Sequence, residues 1–182
     1  FFGRNAGCSN TTGTSNFSVG CMALCGNITG GCNIAIGPSA GKNMGTGGNN
    51  IFLGKEAGAS SGTTANNDGE HNIALGADAL KDITDGDNNI AMGEAAGKGT
   101  DTGRFNIYLG RSTGCDNTSG RYNIAFGTKA ARANTTQCYS VYVGYYAGCN
   151  RTTGDNNIAM GSNALQGTSG SATGEKNVGM GY

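Results

Sequence analysis

The sequence predicts an all-β protein built as one parallel β-solenoid (a β-roll or β-helix) of about eleven 17-residue coils. Three observations predict it: a five-residue motif returns at a fixed spacing, glycine is abundant while proline is nearly absent, and each motif holds two apolar residues at strand spacing. Taken in chain order, the motif Asn–Ile–Ala–(large apolar)–Gly starts with a weak copy, NFSVG at Asn16. It continues as NIAIG at Asn33, NIFLG at Asn50, NIALG at Asn72, NIAMG at Asn89 and NIYLG at Asn106. NIAFG at Asn123, SVYVG at Ser140, NIAMG at Asn157 and NVGMG at Asn177 complete the series, and Phe1-Phe2-Gly3 is the tail of one more. The closing glycines are Gly3, Gly20, Gly37, Gly54, Gly76, Gly93, Gly110, Gly127, Gly144, Gly161 and Gly181. Their successive spacings are 17, 17, 17, 22, 17, 17, 17, 17, 17 and 20. Residues 1–182 therefore read as a single repetitive domain with loop insertions near 63–71 and 167–175, both expected to bulge from one corner of the coil.

Composition excludes the main competitors. With 35 Gly in 182 residues the chain is a poor helix former, because each interior glycine costs a helix about 1 kcal/mol relative to alanine. Collagen is excluded by the single Pro and by glycines that do not fall on every third position. Twelve basic and twelve acidic residues leave no net field to attract nucleic acid. No apolar run reaches the roughly 20 residues that membrane insertion requires.

Numbering each unit from its Asn gives every position a physical role. Positions 2 and 4 are large and apolar, as in Ile34 and Ile36 or Ile107 and Leu109; they face one side, and the expectation is that they form the buried column. Glycine at position 5 marks a sharp turn or a positive φ. Position 8 is Ala in nearly every unit, which predicts two closely packed layers, while position 9 alternates between Gly and Leu. Positions 12 to 15 read as an exposed strand or turn, as in Thr152-Thr153-Gly154. One unit cannot fold alone, since burying two aliphatics returns about 3–6 kcal/mol against roughly 17–34 kcal/mol of backbone ordering. Stacking resolves the deficit. The Asn at position 1 (Asn33, Asn50, Asn72, Asn89, Asn106, Asn123, Asn157 and Asn177) then forms a structural ladder rather than a ligand site.

NNIAMGEAAGKGTDTG and YYAGCNRTTGDNNIAMG resemble the N-x-A-I-G-x-x-A-G-x-x-x-T-T-G repeats of phage tail-fibre-like and bacterial surface adhesin proteins. NIAIGPSA more loosely resembles the head repeat of trimeric autotransporter adhesins, a left-handed parallel β-roll. The resemblance implies an elongated fibre on a cell or virion surface, commonly trimeric, left-handed and used for attachment. It supplies no catalytic residues.

Seven cysteines fit no metal-binding spacing. Cys8 and Cys25 share position 10 in adjacent coils, where a Cα separation of about 5 Å suits a disulfide. Cys21 with Cys32 and Cys138 with Cys149, each pair 11 residues apart, are further cross-coil candidates. Disulfides imply an extracellular setting. Asn-x-Ser/Thr sites at Asn10, Asn27, Asn117 and Asn134 are expected to form one surface column of glycosylation candidates, with Asn150 beside it. Asn16 also begins such a site but belongs to the ladder. Phe52, Tyr108 and Tyr142, at position 3, should point away from the aliphatic pair as an exposed stripe, either a subunit interface or a glycan-stacking surface. His71 lies near Asn67, Asp68 and Glu70 but has no nucleophile motif, and the acidic stretch from Asp68 to Asp101 reads as a solvated face rather than a calcium site.

These features predict a non-catalytic extracellular fibre or adhesin segment, with neither cofactor nor metal, whose partner is itself (a homo-oligomer or filament, a trimer included), with surface glycans as a second candidate partner. Phe1 starts inside a motif and Tyr182 follows the last closing glycine, so the expectation is a segment of a longer chain or subunits stacking end to end. An ice-binding protein using columns such as Thr11–Thr12 and Thr135–Thr136 is one alternative, although Gly45, Asp85, Asp101 and Gly170 interrupt them. A polysaccharide depolymerase spike is another, and would need a pair of carboxylates in a groove.

Overall fold

The computed structural model describes residues 1–62, 67–168 and 173–182. Ten three-residue strands make one sheet: β1 (Phe17–Val19), β2 (Ile34–Ile36), β3 (Ile51–Leu53), β4 (Ile73–Leu75), β5 (Ile90–Met92), β6 (Ile107–Leu109), β7 (Ile124–Phe126), β8 (Val141–Val143), β9 (Ile158–Met160) and β10 (Val178–Met180). They pair in chain order and all in parallel. A bridge from Phe2 to Val19 adds an eleventh rung. The fold is a β-solenoid with a 17-residue spacing, as the motif predicts. Nine turns separate the first strand from the last, a rise of about 43 Å at ~4.8 Å per coil.

Equivalent residues sit over one another. Ile34 pairs with Ile51, Ile51 with Ile73 and Ile73 with Ile90, so the register crosses the 22-residue interval unbroken. It crosses the 20-residue interval in the same way, through Ile158 and Val178. Residues 63–66 and 169–172 of the two insertions lie outside the described residues, and with them the expected shared corner and the Gly170 interruption. Inter-coil bonds also run outside the strands: Gly41 donates to the Ala57 carbonyl at 2.8 Å and Ile28 to the Gly45 carbonyl at 2.9 Å. Each coil is thus sewn to the next around its perimeter.

The turns come from isolated left-handed residues. In the coil that starts at Asn72, φ is positive at Gly76, Asp78, Leu80, Asp82 and Asn88. Position 5 needs glycine for two reasons. Its φ is +135° at Gly37, and a Cβ there would come within 2.5 Å of the Gly54 carbonyl oxygen in the next coil.

The sheet has the opposite polarity to the one expected. Position 3 is buried in β1 to β9, whereas positions 2 and 4 face outward: Ile34 is 38% exposed, Ile36 40%, Met92 43% and Phe126 41%. The interior takes its large residues from other positions, as rings at position 3 and as Leu80 and Ile83 at positions 9 and 12. It is filled by the position 3 residues, by the position 8 alanines (Ala23, Ala40, Ala57, Ala79, Ala96, Ala130 and Ala147, with Ala164 at the end), and by position 9. The close approach predicted for position 8 holds; the aliphatic column belongs to the surface.

Candidate functional site

Inward residues are matched in volume. Phe52, Tyr108 and Tyr142 are buried, so the expected exposed stripe at position 3 is corrected: these rings are core, not interface. Each shares its coil with a glycine at position 9, and a Cβ on Gly58, Gly114 or Gly148 would strike the Phe52, Tyr108 or Tyr142 ring respectively. Where position 3 is Ser or Ala, position 9 can hold Leu24 (with Ser18), Leu80, Ala131 or Leu165. Leu24 reaches over Gly41 of the next coil, where a Cβ would come within 2.7 Å of its Cδ2. Small and large alternate along the axis, and this explains the Gly/Leu alternation.

The hydroxyls of the two buried tyrosines are partnered: Asn117 Nδ2 donates to Tyr108 Oη, and Tyr142 Oη donates to Gln137 Oε1 at 2.6 Å. Burial raises both hydroxyl pKa values above that of a free tyrosine, most strongly at Tyr108. A folded pKa raised above the unfolded value gives stability that is complete below about pH 10 and is lost as pH rises beyond it. In an alkaline titration, Tyr108 and Tyr142 should add tyrosinate absorbance only together with loss of the β circular-dichroism signal. Their smooth titration in the folded chain would contradict this packing.

The Asn ladder is continuous and buried through its middle. Asn50 N donates to Asn33 Oδ1 at 3.0 Å, Asn72 N to Asn50 Oδ1 at 2.8 Å, Asn89 N to Asn72 Oδ1 at 2.9 Å and Asn106 N to Asn89 Oδ1 at 3.0 Å. Asn123 extends it from Asn106 at 3.0 Å. Ser140 substitutes for Asn, its Oγ accepting from Asn157 N at 3.1 Å, and Asn157 Oδ1 accepts from Asn177 N at 3.0 Å.

The remaining candidates sort by column. Cys8 and Cys25 form the expected disulfide, with a Cα–Cα distance of 4.9 Å. Cys21, Cys32, Cys138 and Cys149 are free thiols, against expectation. The reason is positional: Cys21 and Cys32 occupy positions 6 and 17, and Cys138 and Cys149 positions 16 and 10, so neither pair shares a column as Cys8 and Cys25 do. Cys115 is also free, and its thiol is pushed up to about 11 by burial and by the neighbouring Asp116 carboxylate. It stays protonated and a weak nucleophile at neutral pH.

Position 12 is not a surface column. Asn27, Asn117 and Asn134 are buried alongside Met44 and Ile83, with Asn10 half-buried at the end. Asn27 Nδ2 donates to Asn10 Oδ1 at 2.7 Å, and Asn134 Oδ1 accepts from Arg151 N at 3.1 Å. These buried amides have no room for a glycan; Asn150 is half-buried. Of the threonines, Thr11, Thr118 and Thr135 donate their hydroxyls to carbonyls one coil on, at 2.8, 3.0 and 3.0 Å.

Acidic side chains cap neighbouring coils. Asp68 accepts from Thr46 N at 3.0 Å, Asp82 from Ser61 N at 3.1 Å, Asp87 from Glu70 N at 3.0 Å and Asp155 from Cys138 N at 2.9 Å. His71 Nδ1 lies 3.8 Å from Glu70, and both are exposed. Among the described residues no group of three His, Cys, Asp or Glu side chains is placed to hold a metal ion, and no helix is long and apolar enough to cross a membrane.

What remains as a candidate site is the outer face. In all ten strands, positions 2 and 4 are Ile, Val, Leu, Met or Phe, without a polar residue among them. Water-facing sheet surfaces ordinarily carry polar side chains. At position 17, Phe105, Tyr122 and Tyr139 are exposed and stacked, with ring centroids 5.0 and 5.1 Å apart and planes within 1° and 7°.

These features define the class: a parallel β-solenoid repeat protein with an alanine-and-asparagine interior and an apolar outer face. No protein-family model, curated protein or solved structure matches the chain.

Proposed function

We propose that the chain is a non-catalytic structural segment of an extracellular fibre or adhesin that assembles with further copies of itself. The observation that carries this reading is the outer sheet face, apolar at both outward positions of every strand over about 43 Å. A solitary rod would leave that face in water, and contiguous apolar patches of this size mark interaction surfaces. The Cys8–Cys25 disulfide supports an oxidising compartment. Engagement of the acidic side chains by backbone N–H groups supports a structural rather than a catalytic role for them.

Electron microscopy with sedimentation velocity on the purified chain tests the reading. Laterally joined rods or filaments are expected. Single dispersed rods at every concentration would overturn it.

A further inference from the structure

The residue just before each ladder position is a left-handed corner in every coil, and three consecutive coils place there residues that suit it poorly. Asn49, Asn88 and Asn156 take φ of 60°, 57° and 59°, a region Asn tolerates. Phe105, Tyr122 and Tyr139 take φ of 58°, 58° and 56° at the same corner, where a bulky residue costs roughly 1–2 kcal/mol. They are 45%, 46% and 58% exposed, so core packing does not offset that cost. Backbone strain that the fold does not need points to binding.

The surroundings show what is bound. One buried residue separates Phe105 from Ile107, Tyr122 from Ile124 and Tyr139 from Val141, so each corner residue lies within about 7 Å of backbone from the first outward aliphatic of its strand. Both faces of Tyr122 are covered, by Phe105 and by Tyr139, so a sugar cannot stack on it, and the ladder presents edges and hydroxyls. The outward aliphatics run the length of the sheet as one apolar face, the kind of surface that marks a protein interface. Their relief repeats at the ~4.8 Å strand spacing, and a second copy of this chain has the same pitch and stays in register along the whole length.

We infer that the Phe105–Tyr122–Tyr139 ladder is the anchor of a self-association interface, docking on a second copy of this chain with the flanking aliphatic columns. Tyrosine is enriched among the residues that dominate such interfaces. The inference rests on the self-assembly reading above and adds the residues responsible.

The test replaces each ring by Asn, which three other coils use at this corner. The variant Phe105→Asn/Tyr122→Asn/Tyr139→Asn, and Tyr122→Asn alone, should keep the wild-type circular dichroism and melt at the same or a higher temperature. Association of the triple variant, read by sedimentation velocity, should weaken by about tenfold or more. A wild type that associates and a triple variant that associates equally well would overturn the ladder's role while leaving the assembly reading standing. A wild type that stays monomeric would overturn both.

Discussion

Gly114→Ala should destabilise the solenoid by about 3–5 kcal/mol, through left-handed strain and overpacking together. Gly114 has φ +61°, and its new methyl would collide with the Tyr108 ring of the same coil. That ring is buried between coils and is held by Asn117, so it cannot swing outward. Tyr108→Ala alone should also cost about 3–5 kcal/mol, by leaving a cavity. The double variant should cost clearly less than the sum, because it rebuilds the Ala125/Ala131 pair found one coil further on. A urea-unfolding double-mutant cycle measures the coupling. Additive effects would show that the two positions do not share one volume.

The second large effect belongs to the ladder. Asn106 Nδ2 donates to Asn89 Oδ1 at 3.1 Å and to the Gly120 carbonyl at 2.8 Å, and its Oδ1 accepts from Asn123 N at 3.0 Å and Nδ2 at 3.1 Å. Asn106→Ala leaves the buried Gly120 carbonyl with only the long 3.5 Å bond from Asn117 Nδ2 and strands the Asn123 N–H, and should cost about 3–5 kcal/mol. Asn106→Ser should cost less, since Ser140 already performs the accepting half of this role for Asn157. Asn177→Ala, at the end of the ladder, should change stability by under ~1 kcal/mol. Amide exchange at Asn123 is the local readout, and a solenoid that opens coil by coil makes it more informative than a single melting temperature. Equal effects at Asn106 and Asn177 would contradict a cooperative ladder.

Period and register were legible because they depend on spacing alone: residues 17 apart must stack once one coil is closed. The same arithmetic found the Cys8–Cys25 bond. Polarity was not legible from the size of the aliphatics, because the interior draws its bulk from positions 3, 9 and 12, as with Phe52, Leu80 and Ile83, and not from the outward pair. Two signals in the sequence do carry it. A buried ladder at Asn33 puts Ala35 on the same side of the strand and Ile34 on the other. Aromatics at position 3 occur with glycine at position 9, as in Phe52 with Gly58, Tyr108 with Gly114 and Tyr142 with Gly148, which is a volume exchange only neighbouring core residues need. Met44 and Ile83 likewise mark position 12 as interior, against a glycan column at Asn27, Asn117 and Asn134. The strained corner at Phe105, Tyr122 and Tyr139 has no signal in composition, since it depends on a φ that only the folded coil reveals.

Sheet polarity is what the core, the outer face and the proposed assembly all depend on, and fluorine NMR reads it directly. Uniform 4-fluorophenylalanine labelling gives one resonance for each of the six phenylalanines. In dilute, unassociated protein, the half-exposed Phe17 and Phe126 at the outward positions should show a clear light-to-heavy-water isotope shift, and Phe52 none. A shielded Phe17 and Phe126 with a solvent-sensitive Phe52 would mean that the aliphatic columns are the core, and the account would be wrong.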